Sequence, residues 1–234
     1  MVVLKFLIIM SMKYLVLTLF TSTLLAHGAG SPLKKKALEV AEAHRDSVLF
    51  LTAVVEIELT AGDNPARKEE RKVEALATVI ADDGLVVAPL SMLDPATAID
   101  GRTVNGPQGP MKLSAKGTTK EVKLLMADGS EHEAKVTFKD PDLDLAFVRL
   151  ESVDQVKMSP VDINNHAEMG MLDDVIVLGR LGKGLNREPV ILTSEVISII
   201  QKPRRFAKLS AQALGMPVFN AEGQFVGLGA VSYT

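Results

Sequence analysis

The residues of this chain that could do chemistry are few, and their spacing narrows them further. Asp140, Asp142 and Asp144 alternate in "DPDLD" as in the opening of a calcium loop, with Glu151 at the twelfth position. The glycine that such a loop needs at its sixth position is Leu145, and "LAFVRL" (145–150) reads as a buried strand, so the pattern implies an acidic corner and no metal site. Four histidines, His27, His44, His132 and His166, are scattered over unrelated segments, and a proton-transfer pair needs one of them within hydrogen-bond reach of a nucleophile. Ser210 stands close to the loop "AQALGMPVFN" (211–220), which has the small-residue turn, the proline and the closing asparagine of a loop that holds a nucleophile, without the nucleophile. "GRLGKG" (179–184) lacks the Gly-Lys-Ser/Thr ending of a phosphate loop and reads as a link between strands. No cysteine is present, which removes thiolate chemistry, thiolate zinc sites and any disulfide framework. No cofactor is implied.

The elements that must position these residues are mostly strands. "SVLFLTAVVEIELT" (47–60), "VEALATVIA" (73–81) and "LVVAPL" (85–90) are runs of Val, Ile, Leu and Thr broken by polar turns. "EVKLLMADGSEHEAKVTF" (121–138) reads as a hairpin turning at Asp128-Gly129, followed by "LAFVRL". After the connector 152–170 come "DDVIVLGRL" (173–181), "EPVILTSEVISIIQ" (188–201), "RFAKLS" (205–210), "MPVFN" (216–220) and "QFVGLGAVSY" (224–233). Residues 94–120 are expected to form a long surface excursion. One amphipathic helix is expected over 31–47, with Leu33, Ala37, Val40 and Ala41 on its apolar side. Short strands at close spacing predict an all-β barrel or sandwich.

The N-terminus carries a different message. "YLVLTLFTSTLLA" (14–26) follows Met12-Lys13 and precedes the small residues of "HGAG", the order of a basic region, an apolar region and a cleavage site. A membrane helix over 6–26 would hold Lys13 in its interior, at a cost of about 2.5–3.5 kcal/mol. The expectation is therefore a signal peptide over 1–30, translation from Met12, no integral span after its removal, and a periplasmic or secreted protein. Loss of Lys5 and Lys13 takes 26 bases to 24 against 29 acids, a net charge of −5 that argues against a nucleic-acid partner. The basic clusters "LKKK" (33–36) and "KPRR" (202–205) read as solvated ends of elements.

Taken in order, the segments resemble the trypsin-like serine proteases, and within them the HtrA/Deg type. "ATVIADDGLVVAPLSML" (77–93) is similar to the strand, Asp-Gly turn, strand and helical turn that carry the family's histidine. "ADGSEHEAKVTFKDPDLDLAFVRL" (127–150) resembles the hairpin and corner that carry its aspartate, "DDVIVLGRLGKGLNREPVILTSEVISII" (173–200) the hairpin that opens its second barrel, and "ALGMPVFNAEGQFVGLGA" (213–230) its nucleophile loop and following strand. From about Ser47 onward, after the helix at 31–46, the resemblance implies a double β-barrel, with a first barrel at about 47–151 and a second, incomplete one at about 170–234. In such a family a serine attacks a carbonyl, a histidine takes its proton, an aspartate orients the histidine, and loop amides hold the oxyanion.

Position by position, the match falls on Ser91 for the histidine, Asp144 for the aspartate and Leu214 for the serine. A hydroxyl is no general base near neutral pH, and Leu214 has no heteroatom to attack with. The pattern Gly-Asn-Ser-Gly-Gly-Pro is replaced by Gln212-Ala213-Leu214-Gly215-Met216-Pro217, with side chains at Gln212 and Met216 where glycines permit the oxyanion geometry. The expectation is a non-catalytic homologue that pairs an extended peptide or protein partner with the strand at Ala230, Val231 and Ser232. The rival readings are a working HtrA/Deg-type endopeptidase and a fragment completed by a partner.

Overall fold

The computed structural model describes residues 31–230 apart from 63, 107–108, 154–155 and 203. The proposed leader and residues 231–234 lie outside the described residues. Helix α1 (Pro32–His44) starts on a proline, which suits a first helical turn whose amide would be unpaired anyway. Its buried face, Ala37 and Val40 with Leu33 and Ala41 beside them, packs on Val48, Val161, Ile176, Leu178 and Phe219.

The first half of the chain closes on itself. Strands β1 (Val48–Ala61), β2 (Arg67–Val79), β3 (Leu85–Pro89), β4 (Thr103–Gly106), β5 (Gly109–Leu125), β6 (Glu131–Asp140) and β7 (Leu145–Leu150) form one sheet in the order β1-β2-β3-β7-β6-β5-β4. β1 also pairs with β5, from Phe50 with Leu125 to Ala61 with Leu113, so six strands make a barrel and β4 hangs on β5 as an appended edge. Alternation on β1 puts Leu49, Leu51, Ala53, Val55 and Ile57 inside, where they meet Val79, Val86, Leu124 and Val148. That dry interior carries the hydrophobic stabilisation of this half, at roughly 25 cal/mol for each Å² of apolar surface removed from water.

Two expectations are corrected here. Residues 109–120, expected in a surface excursion, are the first two thirds of β5, and residues 67–72 belong to β2 and not to a loop. Residues 67–72 are exposed and held by ladder hydrogen bonds and charge, while 109–120 alternate half-buried and exposed positions, with Ala115 packed on the core. Glu56 on β1 accepts from Lys68 on β2 at 3.4 Å and from Lys120 on β5 at 2.9 Å, a cross-strand arrangement that needs no apolar period.

The second half is an antiparallel sheet in the order β10-β9-β8-β11-β12, from β8 (Asp174–Arg180), β9 (Pro189–Ile200), β10 (Phe206–Leu209), β11 (Pro217–Asn220) and β12 (Phe225–Leu228). Its central strand explains the unbroken "VIVL". Ile176 and Leu178 face α1 and Phe219, while Val175 and Val177 face Val196, Ala213 and Val218. A strand buried on both faces shows no polar alternation. The architecture is all-β, a closed barrel followed by a second half-barrel, as the sequence predicts. Among the described residues no helix is long and apolar enough to cross a membrane.

Candidate functional site

Ser91, Asp144 and Leu214 lie on three segments that the fold brings to one place. β3 ends at Pro89 and runs directly into the one-turn helix α2 (Leu90–Leu93), which carries Ser91. β7 pairs alongside β3, Pro89 opposite Leu145, and the Leu90 amide donates to the Asp144 carbonyl at 2.9 Å. Asp144 is buried at 2% exposure with a φ of +56°, a left-handed conformation that aspartate enters at lower cost than most side chains. Its carboxylate is directed at α2. The Ser91 amide donates to Oδ1 at 2.6 Å and the Ser91 hydroxyl to Oδ2 at 3.0 Å. Asp144 thus satisfies an N–H at the start of a helical turn, and the Ser91 hydroxyl is engaged with a carboxylate.

The loop after β10 supplies the third position. Ala211 donates to the Ser194 hydroxyl at 3.0 Å, and the Met216 amide closes a turn on the Ala213 carbonyl at 2.8 Å. Gly215, at φ +73°, sits against the first barrel, so that a Cβ there would lie 2.2 Å from the Leu76 carbonyl oxygen. Its own carbonyl accepts from the buried Thr78 hydroxyl at 3.0 Å, and its amide donates to the Gly229 carbonyl at 2.9 Å. Gly229 returns a bond to the Met216 carbonyl at 3.0 Å. The amides of Gly215 and Met216 are therefore spent on carbonyls of the protein itself. Met216 turns inward, its sulfur within 2.9 Å of where a Gly179 Cβ would stand, and Gln212 is exposed.

Leu214 is half-buried and floors a groove between the two halves. The groove has a volume of about 290 Å³ and is lined by Phe50, Leu76, Pro89, Met92, Leu214 and the Glu74 and Arg180 side chains, among others. It is an apolar cleft with one acid and one base at its margin. Arg180 is held rigidly: its Nε donates to the Val48 carbonyl at 2.6 Å and one terminal nitrogen to the Arg45 carbonyl at 2.9 Å. Burial lowers the pKa of its guanidinium from the ordinary arginine value, and Asp46 at 3.7 Å opposes that effect.

A family model for the trypsin-like peptidase domain matches residues 75–228, from the middle of β2 to the end of β12. The chain belongs to the trypsin-like peptidase domain family. Among solved structures, this trypsin-like chain is similar to the HtrA-type protease AlgW in a serine-to-alanine variant with a tripeptide, at a TM-score of 0.53 and 12% identity over 82% of this chain. The match covers 53% of the AlgW chain, so the present sequence spans about half the length of that relative. Comparison with curated proteins gives no match.

The other candidate groups go elsewhere. Ser210 directly follows β10 and its hydroxyl meets that of Ser194 at 3.0 Å while accepting from the Glu195 amide. His44 stacks on Phe219 with ring centroids 4.8 Å apart, His132 contacts the Ser130 hydroxyl at 2.9 Å, and His166 forms a bridge with Phe225. None of these histidines lines the groove. Asp140 accepts from the Leu143 amide at 3.0 Å, and exposed Asp142 approaches Arg204 at 3.5 Å, so the three alternating aspartates serve three different partners. Among the described residues no group of three or more His, Asp or Glu side chains is placed to hold a metal ion. Ala230 is exposed, and Val231 and Ser232 lie outside the described residues. The groove residues Phe50, Met92 and Arg180 were not among the sequence candidates. Arg180, a cation ending an otherwise apolar strand, was the available signal.

Proposed function

We propose that this trypsin-like chain is an exported, non-catalytic homologue of the HtrA-type proteases that binds an extended peptide or protein partner in the groove above Leu214. The observation that carries the reading is the chemistry at the site. The position of the attacking oxygen is a hydrocarbon side chain, and the position of the proton acceptor is a hydroxyl already donated to Asp144. The groove beside them is open and largely apolar, which suits the seating of side chains from an extended chain. An apolar cleft at a former reactive centre retains the shape for holding a chain without the means to cut it.

The deciding experiment treats the purified full chain with a fluorophosphonate probe beside an active serine protease, and in parallel screens it against an array of randomised octapeptides. The expected result is no serine labelling and selective capture of a subset of peptides. Labelling at any serine would establish the rival reading, a working endopeptidase, which family membership by itself favours. Export is tested by N-terminal sequencing of the protein from the producing cells, with a mature start expected near residue 27–31. A start at Met1 or Met12 would refute it. Native mass then distinguishes a self-sufficient chain from one completed by a partner.

A further inference from the structure

The chain has no cysteine, so its methionine sulfurs are the softest nucleophiles it offers to a peroxide. The fold sorts them by access. Met111, Met126, Met158, Met169 and Met216 are buried or half-buried, whereas Met171 is 62% and Met92 is 37% exposed. Met171 precedes β8 and is not part of the groove wall, but Met92 is. Its place is set by α2, where Leu90 and Leu93 are buried in the barrel and Ser91 is bonded to Asp144. Around the Met92 side chain the groove offers hydrocarbon from Phe50, Leu76, Pro89 and Leu214. Among the described residues of the wall the one side-chain donor is Arg180, and each of its three nitrogens already donates to a backbone carbonyl, of Val48, Arg187 and Arg45.

We propose that Met92 is a redox switch on the groove: oxidation of its thioether to the sulfoxide by hydrogen peroxide weakens the binding of apolar peptide side chains, and reduction restores it. The proposal rests on the groove reading above. In the forward step a sulfur lone pair attacks one peroxide oxygen, the O–O bond breaks, an S–O bond forms and the other oxygen leaves as water. Sulfur gives up two electrons and the peroxide takes them. In the reverse step a dithiol supplies two electrons and two protons, the sulfoxide oxygen leaves as water, and the thiols end as a disulfide. The effect on binding follows from the wall. A sulfoxide oxygen is a strong acceptor, and the hydrocarbon around it and the engaged Arg180 leave water as its partner. A peptide side chain entering the groove must strip that water from a polar group without replacing its hydrogen bond. Oxidation of Met171 has no such consequence, because it lies off the groove.

The test treats the purified full chain with hydrogen peroxide and locates the added oxygen by peptide mass spectrometry. The octapeptide array is then read with untreated, oxidised and re-reduced chain, the last prepared with methionine sulfoxide reductases for both epimers and dithiothreitol. Met92 and Met171 should be oxidised ahead of the five buried or half-buried methionines. Captured peptides should bind at least about tenfold more weakly to the oxidised chain, and reduction should restore them. Met92→Leu and Met171→Leu are each compared with their own untreated form. Peroxide should leave binding by the Met92 variant where it was and weaken the Met171 variant as it weakens wild type. Met92 left unoxidised when Met171 is fully converted, unchanged binding by chain oxidised at Met92, or an equal loss in Met92→Leu would overturn the switch while the groove reading stands. Failure of the untreated chain to capture any peptide would overturn both.

Discussion

Asp144 is the group on which a catalytic and a structural reading of this site part most sharply, and replacing it separates them. In Asp144→Ala the Ser91 amide loses a charge-assisted bond of 2.6 Å, worth about 1.5–3 kcal/mol at a buried position. The hydroxyl bond at 3.0 Å adds less, about 0.5–1 kcal/mol, because half-buried Ser91 can recover water. Alanine must also adopt the φ of +56°, at about 1–2 kcal/mol. The sum is about 3–6 kcal/mol, a large share of the 5–15 kcal/mol that stabilises a typical domain. Asp144→Asn keeps an acceptor for the amide, tolerates the left-handed backbone and removes a buried charge, so its cost should stay at about 0–2 kcal/mol. Urea unfolding of the full chain, followed by circular dichroism, measures both. A loss below about 1 kcal/mol in the alanine variant, or equal losses in the two, would refute the view that this carboxylate is retained to secure α2.

Gly215→Ala should be at least as damaging, since it combines a φ of +73° with a Cβ 2.2 Å from the Leu76 carbonyl oxygen. A loss above about 3 kcal/mol is expected in the same assay, and near-wild-type stability would show that the loop is not clamped to the first barrel. His44, stacked on Phe219, has its pKa lowered by burial. The neutral form is therefore favoured in the folded chain, and its contribution is complete above the unfolded value of about 6.5 and lost as pH falls through the folded value. Unfolding measured between pH 7.5 and 5 should show a smaller decline in His44→Gln than in wild type, and identical declines would remove His44 from the account.

The strands that read clearly in the sequence are those whose side chains face a core. β7 and β8 stand in the structure within a residue of where "LAFVRL" and "DDVIVLGRL" place them, because burial on one or both faces writes an apolar signature. The start of β2 did not read as a strand because its partner is charge, and the start of β5 because its half-buried Met111, Leu113 and Ala115 are interleaved with glycine and polar residues. "RKEERK" looks like a solvated loop until Glu56 and Lys120 are set beside it. The site was legible as an order of segments, strand to Ser91, corner to Asp144, loop to Leu214. The groove was not, since Phe50, Met92 and Arg180 come from segments far apart in the chain and converge only when the two halves pack. Nor did the sequence show the bonds that occupy the Gly215 and Met216 amides, the first made to a Gly229 that approaches too closely for any side chain of its own and the second to Ala213 within the loop.

The anchoring of Gly215 between Thr78 and Gly229 also sets a timetable. β1 to β7 are complete in the chain by Leu150, so during synthesis the first barrel can close while the remaining strands are still being made. The groove cannot exist at that stage. Its floor arrives only with residues 213–229, the last described stretch to be translated, and locks onto Leu76 and Thr78 of a barrel already waiting for it. Until then Leu76 and Thr78 of β2 lack the Gly215 loop that packs on them, and a nascent chain halted near residue 150 should be the form most in need of a chaperone.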